Sequence, residues 1–292
     1  MNATTWILLL MGGLAVLGAV IGAVVATVFQ AGNAGRGILA VVLGLVGAGG
    51  GWWLFNHDIK PRLAYEAAAQ AAEASPDVAA LKRYYPTDYT NMQQALEMQK
   101  GERKGAAGAQ YLIRLTVNGV VTRQAKLGGD KQLTALMALR RDEGQALVAK
   151  SPSYCTEYFG GGKLSFDPAT VLPAELLQRD AAVSADLLQQ TAANPAKNAA
   201  GAEARDMSLA SRTTLYEENL VRDAVMAKAL AQFSKDDQGT IKMMATRKTG
   251  LSDRPALAAT MCRFKLAMLD ETLKLPEAKA AMVYRMNHGT YF

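Results

Sequence analysis

Few residues of this chain stand in a spacing that could perform chemistry. The stretch FGGGKLS (residues 159–165) combines three glycines with a lysine, and glycines of this kind let backbone N–H groups surround a phosphate. A complete phosphate-binding motif needs glycine at position 157 and a hydroxyl after the lysine, but the chain has Glu157 and Leu164 there. The sequence therefore predicts a flexible loop at this point, and no nucleotide or other cofactor.

The two histidines do not form a recognisable site. His57 and His288 lie far apart in the chain, and neither belongs to a pair with metal-ligand spacing. A general base would need a positioned partner, which the surrounding residues do not supply. We therefore predict no metal site and no catalytic residue from the histidines.

Cys155 and Cys262 are the only two cysteines, and their state depends on the compartment. In an oxidising compartment they can form a disulfide that closes a loop of about 100 residues and stabilises the fold by about 4 kcal/mol in the loop-entropy model. In a reducing compartment they would be inert buried thiols. A reactive Cys155 would need an activating neighbour that the sequence does not identify.

Two apolar runs, residues 6–29 and 38–55, contain no charged residue. Each is close to the roughly 20 residues that an α-helix needs to cross about 30 Å of hydrocarbon. The short bridge QAGNAGRG between them favours a turn, which predicts an antiparallel transmembrane hairpin over residues 1–56. A cleaved signal peptide is the alternative for the first run, although it lacks a basic leading segment.

Small and aromatic residues within these runs have distinct roles in a membrane. Small residues let helices approach closely in lipid, so we expect the glycines to mediate helix packing within one hairpin, or also between copies. Tryptophans near the ends of a span belong at the headgroup level. The predicted packing residues are Gly18, Gly22, Gly44, Gly47 and Gly51, and the predicted interface residues are Trp6, Trp52 and Trp53.

Residues 57–292 hold nearly all the charge and predict a mainly α-helical soluble domain, so the fold class is membrane-anchored all-α. Apolar residues keep helical spacing in two segments, 206–234 and 256–275. Segment 111–124 is ambiguous, because its Asn118-Gly119 pair suits a small β-hairpin. Its apolar residues also form one helical face, and we favour a helix. Loops are expected at 101–109 and 160–173, and a flexible linker at 192–204.

Charge gives limited information about partners and sidedness. The net charge is +6, basic and acidic residues are interleaved, and nothing indicates nucleic-acid binding. Lys60 and Arg62 follow the second run, against Arg36 alone in the bridge. Positive-inside counting therefore favours a cytoplasmic domain, and with it free thiols, while an extracytoplasmic domain with paired cysteines is the alternative.

Two functional hypotheses follow from these observations. The first is a non-enzymatic, membrane-anchored scaffold or subunit of a membrane assembly, in a bacterial-type inner membrane, whose partners are the lipid bilayer and either further copies of itself or other subunits. The second is a membrane-tethered enzyme whose site is assembled from residues scattered along the chain.

Overall fold

The protein is helical throughout the regions that can be described. The computed structural model describes residues 50, 52–100, 105–160, 164–193, 209–246 and 255–287. Within these ranges every regular element is a helix and no strand occurs. The predicted all-α class is confirmed.

In the described ranges, twelve α-helices follow a short helical segment at residues 52–54 and a π-helical turn, Phe55–Ile59. They are α1 Lys60–Glu73, α2 Pro76–Tyr84, α3 Pro86–Gln99, α4 Gly105–Ala125, α5 Asp130–Lys150, α6 Pro152–Gly160, α7 Pro168–Val171, α8 Ala174–Ala193, α9 Leu209–Leu230, α10 Lys235–Thr246, α11 Pro255–Leu273 and α12 Glu277–Asn287.

Proline and serine mark several helix starts. Pro76 and Pro255 are the first residues of α2 and α11, where the missing proline N–H would have no partner within the helix. Pro173 and Pro276 immediately precede α8 and α12. Ser75, before α2, donates its hydroxyl to the carboxylate of Asp77 in the first turn.

The chain separates into two compact units. The first comprises Met1–Ala68 and Glu97–Ala109, and the second comprises Ala69–Leu96 and Gln110–Phe292. In the second unit α5 is the central helix, because it packs against α6, α8, α11 and α12. Its buried apolar residues are Leu133, Leu136, Met137, Leu139 and Leu147.

Segment 111–124 lies within the continuous helix α4, so the alternative of a β-hairpin there is wrong. The buried residues Ile113, Val117 and Val120 are spaced as one helical face, and burial of that face favours the helix over a two-stranded turn. Residues 105–109, expected in a loop, form the first turn of α4. The predicted loop at 160–173 contains the four-residue helix α7.

The predicted membrane spans fall almost entirely outside the described residues. Span 6–29 lies wholly outside them, and only residues 50 and 52–55 of span 38–55 are described. Among the helices that are described, none combines the length and the apolar character needed to cross a membrane. Linker 192–204 is described only at Ala192 and Ala193, which end α8.

Candidate functional site

Helix α6 is joined to α11 by a disulfide between Cys155 and Cys262. Their Cα atoms are 5.8 Å apart, within the range that a disulfide spans. Both residues are buried. The positive-inside count of basic residues favours free thiols at these positions, whereas the structure has the two cysteines bonded.

Two hydrogen bonds flank the disulfide along the same pair of helices. The Thr156 hydroxyl donates to the backbone carbonyl of Ala258 at 2.7 Å. The Lys265 ammonium donates to the backbone carbonyl of Phe159 at 2.8 Å. Burial lowers the pKa of Lys265 to about 8, because removing the ammonium from water disfavours its charged form. The Phe159 carbonyl at the end of α6 is the partner that its ammonium has there.

A charged cluster lies where α5, α6 and α8 meet. Arg140 and Glu143 are one turn apart on α5, with Nη1 and Oε2 separated by 2.8 Å. The Tyr158 hydroxyl donates to the same Oε2 at 2.5 Å and accepts a hydrogen bond from Arg140. Asp180 of α8 places a carboxylate oxygen 3.7 Å from Arg140.

The cluster continues to α4 and along α8. Arg140 donates to the Asn118 side-chain oxygen at 3.4 Å, which accounts for the asparagine inside α4. Arg114 of α4 lies 3.8 Å from the second oxygen of Asp180, and Ser184 donates to Asp180 at 3.4 Å. Two arginines therefore face two carboxylates, and four helices meet in one charge-balanced network.

Burial controls the ionisation of this cluster. Glu143 is 0% exposed, and burial raises its pKa, as does Asp180, while Arg140 and the Tyr158 hydrogen bond oppose that rise. Burial lowers the pKa of Arg140, but the negative charges around it raise that pKa well above the usual value. Burial also raises the pKa of Tyr158 well above its usual value, so the phenol keeps its proton and acts as a donor.

Two buried polar atoms of the cluster, Nη1 of Arg114 and Oε1 of Glu143, make no hydrogen bond to any described residue, and of these the carboxylate oxygen could hold a proton. Oε2 of Glu143 accepts both hydrogen bonds, whereas Oε1 is buried and has no hydrogen-bond partner. A buried carboxylate with a raised pKa can bind a proton at such an oxygen. Within the described ranges, no group of three or more His, Cys, Asp or Glu side chains is arranged to hold a metal ion.

The predicted membrane residues are only partly described. Trp6, Gly18, Gly22, Gly44, Gly47, Gly51 and His288 lie outside the described residues. Trp52 and Trp53 are described, and 56% and 54% of their surfaces are exposed. His57 stacks on Trp53 with ring centroids 4.8 Å apart.

Glu157 binds Ser165, the last residue of the segment that resembles a phosphate loop. Its carboxylate accepts hydrogen bonds from the backbone N–H and the hydroxyl of Ser165, at 2.7 and 2.9 Å. The residue that breaks the phosphate-binding motif therefore links the end of α6 to the residues before α7. Lys163 lies outside the described residues.

Sequence reasoning missed the charged cluster because the run RRDE resembles a solvated surface. A signal was present in the spacing, since Leu133, Leu136, Arg140, Glu143 and Leu147 recur every three or four residues. Charged residues at core positions of an apolar stripe indicate a buried ion pair. Both charged residues of this stripe are indeed shielded, with side-chain exposures of 17% for Arg140 and 0% for Glu143.

Comparison with protein-family models, with curated proteins and with solved structures gives no match for this chain. Its function therefore has to be inferred from its own residues.

Proposed function

We propose that the protein is a non-enzymatic scaffold, or a subunit of a membrane assembly, held in the bilayer by a helical hairpin. The observation that carries the proposal is the exposure of Trp52, Trp53 and Leu54, at 56%, 54% and 44%. Successive helical residues are about 100° apart, so these three side chains spread over about 200° of the helix surface. A single flat protein surface would leave part of that arc uncovered, whereas lipid surrounds a helix on all sides.

The hairpin itself comprises spans 6–29 and 38–55. Its charge-free runs support insertion, and small residues on both helices support close packing between helices. We propose that this packing also joins separate copies, because each helix carries its own small-residue face. The residues proposed to make these contacts are Gly18, Gly22, Gly44, Gly47 and Gly51.

The charged cluster supports a structural role for residues 57–292 better than a catalytic one. Arg140 is held by Glu143, Asp180, Tyr158 and Asn118 together, which leaves its charge compensated inside the protein. A buried network of this kind fixes how helices fit together. A membrane-tethered enzyme is the second candidate, and the unpartnered Oε1 of Glu143 is the observation that favours it.

We further propose that residues 57–292 lie in an oxidising compartment outside the cytoplasm. Disulfides persist in such compartments and are rare in the cytosol, and Cys155 is bonded to Cys262. This placement departs from the cytoplasmic domain that the positions of Lys60 and Arg62 favour.

The scaffold proposal is tested by crosslinking in native membranes. Replacing four glycines by leucine keeps the spans apolar but holds the backbones apart, so the crosslinked species should weaken while membrane localisation is retained. The glycine variant is Gly18→Leu, Gly22→Leu, Gly44→Leu and Gly47→Leu, and the control is Val16→Leu, Val20→Leu, Val42→Leu and Val46→Leu.

The control variant adds leucines without filling a glycine position, so it should crosslink as the wild type does. Equal crosslinking of the two variants would show that the hairpin does not drive assembly. A wild type that never crosslinks would reject the scaffold proposal in its self-associating form.

A further inference from the structure

The helix that leads out of the predicted second span continues without a break from residue 52 to Glu73. Pro61 has no N–H to donate, and the preceding π-helical turn accommodates it, with the Lys60 N–H bonded to the Phe55 carbonyl. Two side chains in this turn fold back onto the helix. Asn56 donates to the Trp52 carbonyl at 3.0 Å.

His57 makes the equivalent bond one residue later, from its Nδ1–H to the Trp53 carbonyl at 3.1 Å. These two side-chain bonds occupy the Trp52 and Trp53 carbonyls within the same helix. Residues 52–73 form one continuous helical run, so Trp52 and Lys60 lie eight residues apart along it.

Two exposed cations lie on this helix beyond the tryptophans. Lys60 and Arg62 are both exposed. In the described part of the chain, no carboxylate forms an ion pair with either of them, and Glu66, the next acid along the helix, is paired with Lys100 at 3.0 Å. Both cations are therefore available to an anion supplied from outside the chain.

The separation between tryptophans and cations matches the headgroup layer of a bilayer. Lys60 follows Trp52 by eight residues, which is about 12 Å along a helix axis. A lysine side chain can reach back about 6 Å toward the membrane. With Trp52 and Trp53 at the headgroup boundary, the ammonium group reaches the level of the phosphates.

We propose that Lys60 and Arg62 bind the phosphate groups of anionic phospholipids, while Trp52 and Trp53 lie at the edge of the hydrocarbon. The inference rests on the proposed membrane hairpin and adds the lipid class that this part of the protein recognises. An anionic lipid is proposed because Lys60 and Arg62 are positively charged. A lipid is proposed in place of a protein partner because these residues directly follow the predicted membrane span.

The test uses the full chain reconstituted in vesicles, with Trp6→Phe so that only Trp52 and Trp53 report. Two vesicle preparations contain phosphatidylglycerol and phosphatidylcholine at equal mole fractions, with only the first lipid brominated in one preparation and only the second in the other. Quenching of tryptophan fluorescence then measures which lipid lies beside Trp52 and Trp53. Each basic residue near a surface is worth about a fivefold preference for anionic lipid. Asp58 in the preceding turn carries the opposite charge, so the preference should lie between about fivefold and 25-fold at low ionic strength, reduced by salt.

In the variant Lys60→Gln with Arg62→Gln, both lipids should quench tryptophan fluorescence equally. The matched control is Lys126→Gln with Lys228→Gln, which removes the same charge from exposed positions outside this helix and should keep the preference. Equal quenching by both lipids in the wild type would overturn the lipid inference alone. No quenching by either lipid would show that Trp52 and Trp53 are not at a bilayer, and that result would reject the membrane proposal itself.

Discussion

Removing the Cys155–Cys262 disulfide should strongly destabilise the second unit of the chain. The bond closes a loop with a sequence separation of 107 residues, and the loop-entropy model gives about 4–5 kcal/mol for a loop of that length at 25 °C. Alanine is the suitable replacement, because serine would bury an extra hydroxyl. Helix α6 keeps its hydrogen bonds to Ala258 and from Lys265, so the fold should persist with reduced stability.

The assay is pulse proteolysis of the full chain in a non-ionic detergent across a urea series. Tryptophan fluorescence is unsuitable, because Trp6, Trp52 and Trp53 all belong to the first unit. With a urea dependence of about 2.5 kcal/mol per molar, a loss of about 4–5 kcal/mol moves the midpoint down by about 1.6–2 M. Reduction of the wild type should give the same shift, and the double variant Cys155→Ala, Cys262→Ala should not respond to a reductant.

A midpoint that changes by less than about 0.3 M in the variant would refute the reasoning, since it would mean that the cross-link does not constrain the unfolded chain. A wild type whose midpoint ignores an effective reductant would refute the bond itself. Gel mobility under non-reducing conditions distinguishes the two results, because an intact disulfide makes the denatured chain more compact and faster-migrating.

Two further changes test the packing and electrostatics of the second unit. Gly144→Ala should lower the free energy of unfolding by up to about 2 kcal/mol, because a Cβ there would lie 2.7 Å from atoms of Leu266 and Phe159. The overpacking costs about 1–3 kcal/mol, and the helix propensity of alanine offsets about 1 kcal/mol of it. Gly239→Ala is the control, since its Cβ would meet nothing within 4 Å, and it should stabilise α10 by up to about 1 kcal/mol; equal urea midpoints for the two variants would contradict the close packing. The pKa of Lys265 falls from 10.5 to about 8, so above pH 8 the unfolded chain binds more protons and stability should rise toward pH 10 by up to about 3 kcal/mol. Lys265→Met should lack that rise in urea titrations at several pH values, and a rise that persists in the variant would assign it to another group.

The helical class could be predicted from the sequence, and α4 shows why. Several of its residues are β-branched and therefore favour strands, but Ile113, Val117 and Val120 also share a helical face. A two-stranded turn would expose about half of these side chains, whereas a helix buries all three on one side. Asn118 is consistent with a helix once its partner Arg140 is known, and that partner is 22 residues away in the sequence.

The buried face of α9 differs in part from the face that its sequence predicts. Helical spacing in segment 206–234 predicts a stripe through Leu209, Tyr216, Leu220, Ala227 and Leu230. Leu230 packs against the core, but Tyr216 and Leu220 are 65% and 52% exposed. The residues that pack into the core are Val225 and Ala229. Both sets have helical spacing, so periodicity alone cannot choose between them. The choice depends on which face meets α11, and that contact is fixed by the tertiary structure.

Two observations bear on which side of the membrane holds residues 57–292, a count of basic residues and the disulfide. The positive-inside argument uses Lys60 and Arg62 against Arg36, a difference of one residue. If Lys60 and Arg62 bind lipid phosphates, their position is explained on either leaflet, because both leaflets carry phosphate at the same depth. The number of basic residues is then no longer a topology signal, whereas the Cys155–Cys262 bond still supports the proposed oxidising compartment. An impermeant protease added to spheroplasts should therefore digest the domain, and complete protection in intact spheroplasts, with digestion only after lysis, would return the domain to the cytoplasm.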